Sequence, residues 1–142
     1  MGHHNSQQMS EAFETRAITF APAPSITEGA DPEASHLAMI AEREYANRRR
    51  RDASFAPGIF AEPAWDMLLD LYVQQHQKRS VSIHSLCIAA AVPPTTALRW
   101  IGRLVDAGLM KREPSLQDNR VVYVALTDEG RSAMEKYLRG RL

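Results

Sequence analysis

Apolar residues recur at helical spacing in one part of this chain and at strand spacing in another, and the two intervals set out its elements. Trp65, Leu68, Leu69 and Tyr72 stand at i, i+3, i+4 and i+7, which lays their side chains along one face of a helix. Glu62-Pro63 opens that helix, because proline tolerates the first helical position, where its missing amide would be unpaired anyway. This is the clearest core helix in the sequence. After Ser82, a capping residue by type, Ile83, Leu86, Cys87 and Ala90 repeat the helical interval to about Ala91. Val92-Pro93 stops that short helix, and Pro94 can only begin another. The new helix, residues 94–107, turns Ala97, Ile101 and Leu104 inward with Trp100 at the margin of the stripe. It ends at Gly108, as a left-handed C-terminal glycine would end it.

The period then changes to two. Residues 109–113 are expected as one strand and 120–126 as a second, in which Val122, Val124 and Leu126 alternate with Val121, Tyr123 and Ala125. Joined through a polar tip at 114–119 they make a β-hairpin, after which Thr127 caps a last helix to about Arg139 with Met134, Tyr137 and Leu138 available for packing. Upstream, Asp31-Pro32-Glu33 starts a helix reaching about Arg51. Leu37, Ile40, Ala41 and Tyr45 give it only a thin apolar stripe, so it is expected to pack on a partner rather than fill a core. Residues 1–30 lack periodicity, and "FAPAPSITEGADP" alternates proline, alanine and turn residues in the manner of a linker. The organisation expected is a largely disordered arm over 1–30, with a short helical turn at 10–15, followed by one domain over 31–142.

A chain of 142 residues suits one such domain with a tail. No apolar run approaches the ~20 residues that a membrane span needs, and the polar start Met1–Gln8 lacks a secretory signal's basic and apolar regions. A soluble cytoplasmic protein is expected. The single cysteine, Cys87, excludes an internal disulfide and a multi-cysteine zinc site, and among Leu86, Ile88, Ala89 and Ala90 it reads as a small hydrophobe. His3-His4 reads as a solvated terminus, so neither metal nor cofactor is expected. Ser82, His84, Ser85 and Cys87 cluster through helix spacing alone, with no motif to position a base or an oxyanion hole, which argues against an enzyme.

The formal net charge of zero conceals a division. Residues 1–77 hold 6 Arg against 11 Asp/Glu, and residues 78–142 hold 11 Lys/Arg against 6 Asp/Glu. Such asymmetry points to an acidic partner for the second half or to attraction between the halves. Arg48-Arg49-Arg50-Arg51 is either a solvated helix end, favoured by the helix dipole, or a patch that contacts phosphates.

Two short helices across a tight turn, with Thr95, Thr96, Arg99 and Arg103 left facing outward on the second, make a helix-turn-helix. With the hairpin, the order of elements is a winged helix-turn-helix, mainly α with a small β-hairpin. A helix with small side chains near its start can enter the major groove of DNA, where hydroxyls reach base edges or phosphates and arginine can pair with guanine.

Residues 89–131, "AAAVPPTTALRWIGRLVDAGLMKREPSLQDNRVVYVALTDEGR", resemble the DNA-binding core of the MarR family of bacterial transcriptional regulators. The likeness rests on "RLVDAGL", Asp118-x-Arg120 and "LTDEGR", and with the helix at Trp65 it spans about residues 60–140. It implies that Arg120 is the wing arginine that enters the minor groove or contacts its phosphates, and that Asp118 is the carboxylate holding it. A narrow A·T-rich minor groove has an enhanced negative potential that attracts such a cation. The DNA-binding set expected is therefore Thr95, Thr96, Arg99 and Arg103 in the major groove, with Lys111, Arg112, Asp118, Asn119 and Arg120 on the wing. The partner expected is double-stranded DNA, bound by a homodimer.

The chain departs from the family in three places. Pro93-Pro94 stands where a Ser or Thr cap is usual, Leu98 replaces a commonly polar residue, and "GRSAMEKYLRGRL" ends short of the long helices through which family members dimerise and hold ligands. No small-molecule effector is therefore expected. A dimer surface would combine Leu37, Ile40 and Tyr45 with Met134, Tyr137 and Leu138. The alternative function is a winged-helix docking module for proteins, which the neutral charge, the double proline and an exposed Leu98 would suit.

Overall fold

The computed structural model describes residues 31–142. The expected arm, its helical turn at 10–15 and the His3-His4 pair lie outside the described residues. Five helices and one small antiparallel sheet follow in the order α1 (Pro32–Ala53), α2 (Pro63–His76), β1 (Val81–Ser82), α3 (Ile83–Ala89), α4 (Pro94–Asp106), β2 (Met110–Pro114), β3 (Val122–Leu126) and α5 (Asp128–Arg139). The fold is a winged helix-turn-helix, mainly helical, with strand order β1-β3-β2.

α2 is the axis of the domain, packed by α1, α3, α4, α5 and β3. A helix enclosed on so many sides needs no single stripe. Met67, Leu69, Leu71, Tyr72 and Val73 are all buried, while Trp65 and Leu68, expected to face inward, are only partly covered. Trp65 instead meets Tyr137 of α5 edge to face, with ring centroids 4.9 Å apart.

α1 corrects the expectation of a helix reserved for a partner. Leu37, Ala38, Ala41 and Tyr45 are buried in the core of their own domain, chiefly against α2. The Tyr45 hydroxyl donates to the Ala89 carbonyl at 2.8 Å, satisfying one of the carbonyls that the end of α3 leaves unpaired. Of the residues expected at a dimer surface, Leu37, Tyr45, Met134 and Leu138 are buried within one chain, while Ile40 is partly covered and Tyr137 is exposed.

The Arg48–Arg51 run is divided between the fold and the solvent. Asp66 in α2 is wholly buried and accepts from Arg48 Nε at 2.6 Å and Arg49 Nη2 at 2.7 Å. Arg48 also meets Glu62 and Arg49 meets Asp52, while Arg51 lies over the Phe60 ring, 4.5 Å from its centroid. Arg50 and Arg51 are both exposed. Burial pushes the Asp66 carboxyl upward, and the two guanidiniums pull it back. The pair staples the C-terminal half of α1 to the first turn of α2.

The sheet is larger by one strand than the expected hairpin. β1 pairs with β3, Val81 opposite Val124 and Ser82 opposite Tyr123, while β2 pairs with the other edge of β3 from Met110–Leu126 to Pro114–Val122. A two-residue strand has no periodicity to read, which is why the sequence pattern passes over it. β3 starts at Val122 rather than Arg120, because residues 118–121 are spent in the turn.

Candidate nucleic-acid interface

The two helices of the helix-turn-helix are set by their ends. Ser82 Oγ accepts from Ser85 N at 3.1 Å and caps α3, and Ala91 takes the left-handed backbone (φ 56°) that breaks the chain away from it. α4 then begins at Pro94 without a side-chain cap. Its far end closes on Gly108 (φ 78°), with Gly108 N bonded to Val105 O and Leu109 N to Leu104 O, both at 3.0 Å. This paired closure needs a residue comfortable at positive φ. Thr127 N donates to the Leu109 carbonyl at 3.1 Å, the Thr127 hydroxyl donates to the Gly108 carbonyl, and the same oxygen caps α5 by accepting from Gly130 N at 3.0 Å. Gly130 packs so closely on Leu109 that an added Cβ would lie 2.1 Å from that carbonyl oxygen. "RLVDAGL" and "LTDEGR" are thus two halves of one joint, which fixes where α4 points relative to the hairpin.

On α4, Ala97, Ile101 and Leu104 are buried, while Thr95, Arg99 and Arg103 are exposed and Thr96 is partly so. The outward residues share a face because they stand four apart, 95, 99 and 103. Arg103 lies over the half-buried Trp100 ring, 4.7 Å from its centroid, so its aliphatic stem is held along the helix. Arg99, Arg103 and Arg112 make no ion pair among the described residues.

The wing divides its charged residues between two faces. Arg112 shares the face of the buried Met110 and Val124, and its guanidinium approaches Gly102 of α4. Lys111 is on the opposite face and pairs with Glu113 at 3.1 Å, so it is not gathered with the α4 set. At the tip, Asp118 accepts from Arg120 three times, from the backbone N at 3.0 Å and from Nε and Nη2 at 3.1 Å each. The Arg120 side chain is nevertheless 89% exposed. Its hydrogen bonds hold the Asp118 carboxyl below the usual carboxylate range, and the carboxylate in turn raises the guanidinium. An exposed cation held by a fork of this kind loses less rotamer freedom on meeting an anion than a free arginine would. Asn119 is exposed beside it.

Between the start of α4 and the wing lies an open groove of about 940 Å³, whose walls include Ser82, His84, Ser85, Leu98, Tyr123 and Arg120. Leu98, 50% exposed, is one wall of this groove. The polar residues of the "SVSIHS" stretch were missed as part of the surface. Their one signal was the density of hydroxyls ahead of α3, which by residue type resembles a nucleophile cluster. Ser82 is occupied as a cap, and burial pushes the Cys87 thiol upward, away from the thiolate a nucleophile requires. Among the described residues, no group of three or more His, Cys, Asp or Glu is placed to hold a metal ion, and no helix is long and apolar enough to cross a membrane.

Residues 65–130 match the model of a protein family described as the winged helix DNA-binding domain. No curated protein matches the chain. Among solved structures it is similar to heme-free PefR, at 20% identity over 75% of this chain and 94% of that one, with a TM-score of 0.43. It is also similar to S. aureus MepR in its DNA-binding conformation, at 18% identity over 76% and 77%, with a TM-score of 0.47. A third is a cysteine-to-serine mutant of MarR from E. coli, at 21% identity over 84% and 80%, with a TM-score of 0.48.

Proposed function

We propose that this chain is a sequence-specific transcriptional regulator of MarR type, acting in the cytoplasm as a homodimer on double-stranded DNA. α4 enters the major groove with Thr95, Thr96, Arg99 and Arg103, and the wing meets the adjacent minor groove with Arg120, held by Asp118 and flanked by Asn119. Arg112 supports the α4 side, and Lys111 adds positive charge on the outer face of the wing. The observation that carries the reading is Arg120: a guanidinium oriented by two bonds to one carboxylate, which also accepts from its backbone N, and yet almost wholly in solvent. Within the domain it has no structural task beyond the tip itself.

The groove between α4 and the wing suits the sugar-phosphate strand that separates a major groove from its neighbouring minor groove. Ser82, His84 and Ser85 would line its path. Pro93-Pro94 removes amides from this end of α4, but the amides of Thr95 and Thr96 follow without a side-chain cap above them and can meet a phosphate.

The test is fluorescence anisotropy of the protein on duplexes enriched from a random-sequence pool, at several salt concentrations. The expected result is salt-weakened binding that survives nonspecific competitor and is abolished in Arg99→Glu and Arg120→Glu variants. Intact binding in both variants would overturn the site. The docking-module alternative draws on the half-exposed Leu98 in its groove, and it requires no salt-dependent DNA binding by the intact protein.

A further inference from the structure

We propose that Leu116, at the tip of the wing, is an apolar wedge that enters a base step of the minor groove beside Arg120 and bends the duplex. The proposal rests on the minor-groove position of the wing given above. Leu116 is the most exposed large apolar residue of the described chain, at 103% of its reference surface. The ladder places it at the end of the hairpin. β2 and β3 pair through Pro114–Val122, and Ser115 N bonded to Val121 O at 3.0 Å closes the pairing. Leu116 and Arg120 both lie in the turn beyond that bond. The tip therefore carries one exposed apolar and one exposed cationic side chain.

The tip is also held in shape. Ser115 Oγ accepts from Gln117 N at 3.2 Å and from Asp118 N at 3.1 Å, Val121 N donates to Asp118 O at 3.0 Å, and Asp118 grips Arg120. With the backbone on both sides of Leu116 tied down, its side chain stays outside the fold instead of collapsing onto the hairpin.

The surroundings of Leu116 decide between occupants. A protein interface is built on a contiguous apolar centre with charged residues at its rim. Here a single leucine stands among Gln117, Asn119 and Arg120, with only the small ring of Pro114 as a second exposed apolar group on the tip. That composition fits a minor groove, whose degenerate acceptor edge is read by Arg, Asn and Gln while an inserted aliphatic side chain unstacks one step and kinks the helix away.

The experiment uses the full chain and a pool-enriched duplex in two forms, one with 2-aminopurine at successive positions flanking the site, one with a dye pair at its ends. The wild type is expected to raise 2-aminopurine fluorescence at one step and to shorten the dye separation. Leu116→Ala should lose both signals while its salt slope, which counts phosphate contacts, stays as in the wild type, and Leu116→Met should keep both signals. Persistence of the signals in Leu116→Ala, or their absence from a wild-type complex whose salt slope depends on Arg120, overturns the wedge and leaves the wing where it was placed. A Leu116→Ala change confined to self-association in sedimentation assigns the leucine to a protein contact and overturns it equally. If Arg120→Ala leaves the salt slope unchanged, the wing reading fails and the wedge with it.

Discussion

Replacing Asp66 by Asn keeps the shape of the side chain and removes the charge that Arg48 and Arg49 share. Asp66 is fully buried, and the two arginine side chains are only 11% and 13% exposed, so the carboxylate and its partners are mostly out of water. Breaking a buried pair by removing one partner costs about 3–5 kcal/mol, because the remaining charge is stranded. Two features reduce that figure here. The arginine side chains are not wholly buried, and each keeps a second carboxylate, Glu62 for Arg48 and Asp52 for Arg49. Glu62 is largely exposed and returns little, since such pairs contribute ~1 kcal/mol or less. A net loss of about 3 kcal/mol is expected, a large part of the ~5–15 kcal/mol of a typical domain. Urea unfolding followed by tryptophan fluorescence measures it directly, with Trp65 adjacent to the site and Trp100 on α4. The midpoint should fall with the slope unchanged. Arg48→Gln and Arg49→Gln should also destabilise, yet leave the salt slope of DNA binding as it was. An Asp66→Asn protein within ~0.5 kcal/mol of the wild type, a change in the range of ordinary surface substitutions, would refute the staple. So would an Arg48→Gln protein that keeps its stability and loses about one unit of salt slope, the mark of a lost phosphate contact.

Three further outcomes follow from the same geometry. Gly130→Ala should lower stability by about 2 kcal/mol or more, since alanine's better helix propensity offsets only ~1 kcal/mol of forcing a methyl onto the Leu109 carbonyl; a variant as stable as the wild type in urea would contradict the close approach. Tyr45→Phe should cost about 1–2 kcal/mol by leaving the Ala89 carbonyl unpaired, and an unchanged melting curve would mean that water replaces the hydroxyl freely. In a carboxyl-detected NMR titration Asp118 should titrate below the ordinary aspartate value of about 3.9 and return towards it in Arg120→Ala. Because its folded value is depressed, the clamp is complete above the unfolded value and is lost only as pH falls through the folded one, so grip on Arg120 should not vary near neutrality.

The parts of the fold that lie close along the chain were legible in the sequence. Gly108 and Thr127 announce helix ends by residue type, and both enter one joint with Gly130. The period change after Gly108 marks the hairpin, and Asp118-x-Arg120 is a local pairing that two-residue spacing allows. What stayed hidden depends on contacts between distant segments. Arg48 and Asp66 are 18 residues apart, and nothing in an arginine run says which carboxylate will absorb it. α1 looked too weakly apolar for a core helix, but four buried residues, two of them alanines, suffice when α2 offers a surface on that side. α2 hid its role for the opposite reason: Asp66, Asp70 and Gln74 are buried together with its apolar residues, so its pattern understates its burial. Gln74 Nε2 lies 3.4 Å from Asp70 Oδ1, one turn away, and this local pairing lets a polar stripe go inside.

The neutral net charge then ceases to count against a DNA surface. Acidic residues of the first half are spent on the scaffold, where Asp66, Asp52 and Glu62 hold Arg48 and Arg49 and where Glu33 holds Arg139 of α5. That is the attraction between halves that the charge division allows, realised in part within the first half itself. On the proposed DNA face the balance is different. Asp118 orients Arg120 without covering it, Glu113 meets Lys111 on the outer side of the wing, and Arg99, Arg103 and Arg112 pair with no carboxylate among the described residues. A field strong enough to draw in a polyanion is set by such local excess, since opposite charges more than a Debye length away, ~8 Å at physiological salt, are screened from it. The number that matters for binding is therefore the count of uncommitted cations on one face, and a pI near 7 is compatible with a steep salt dependence.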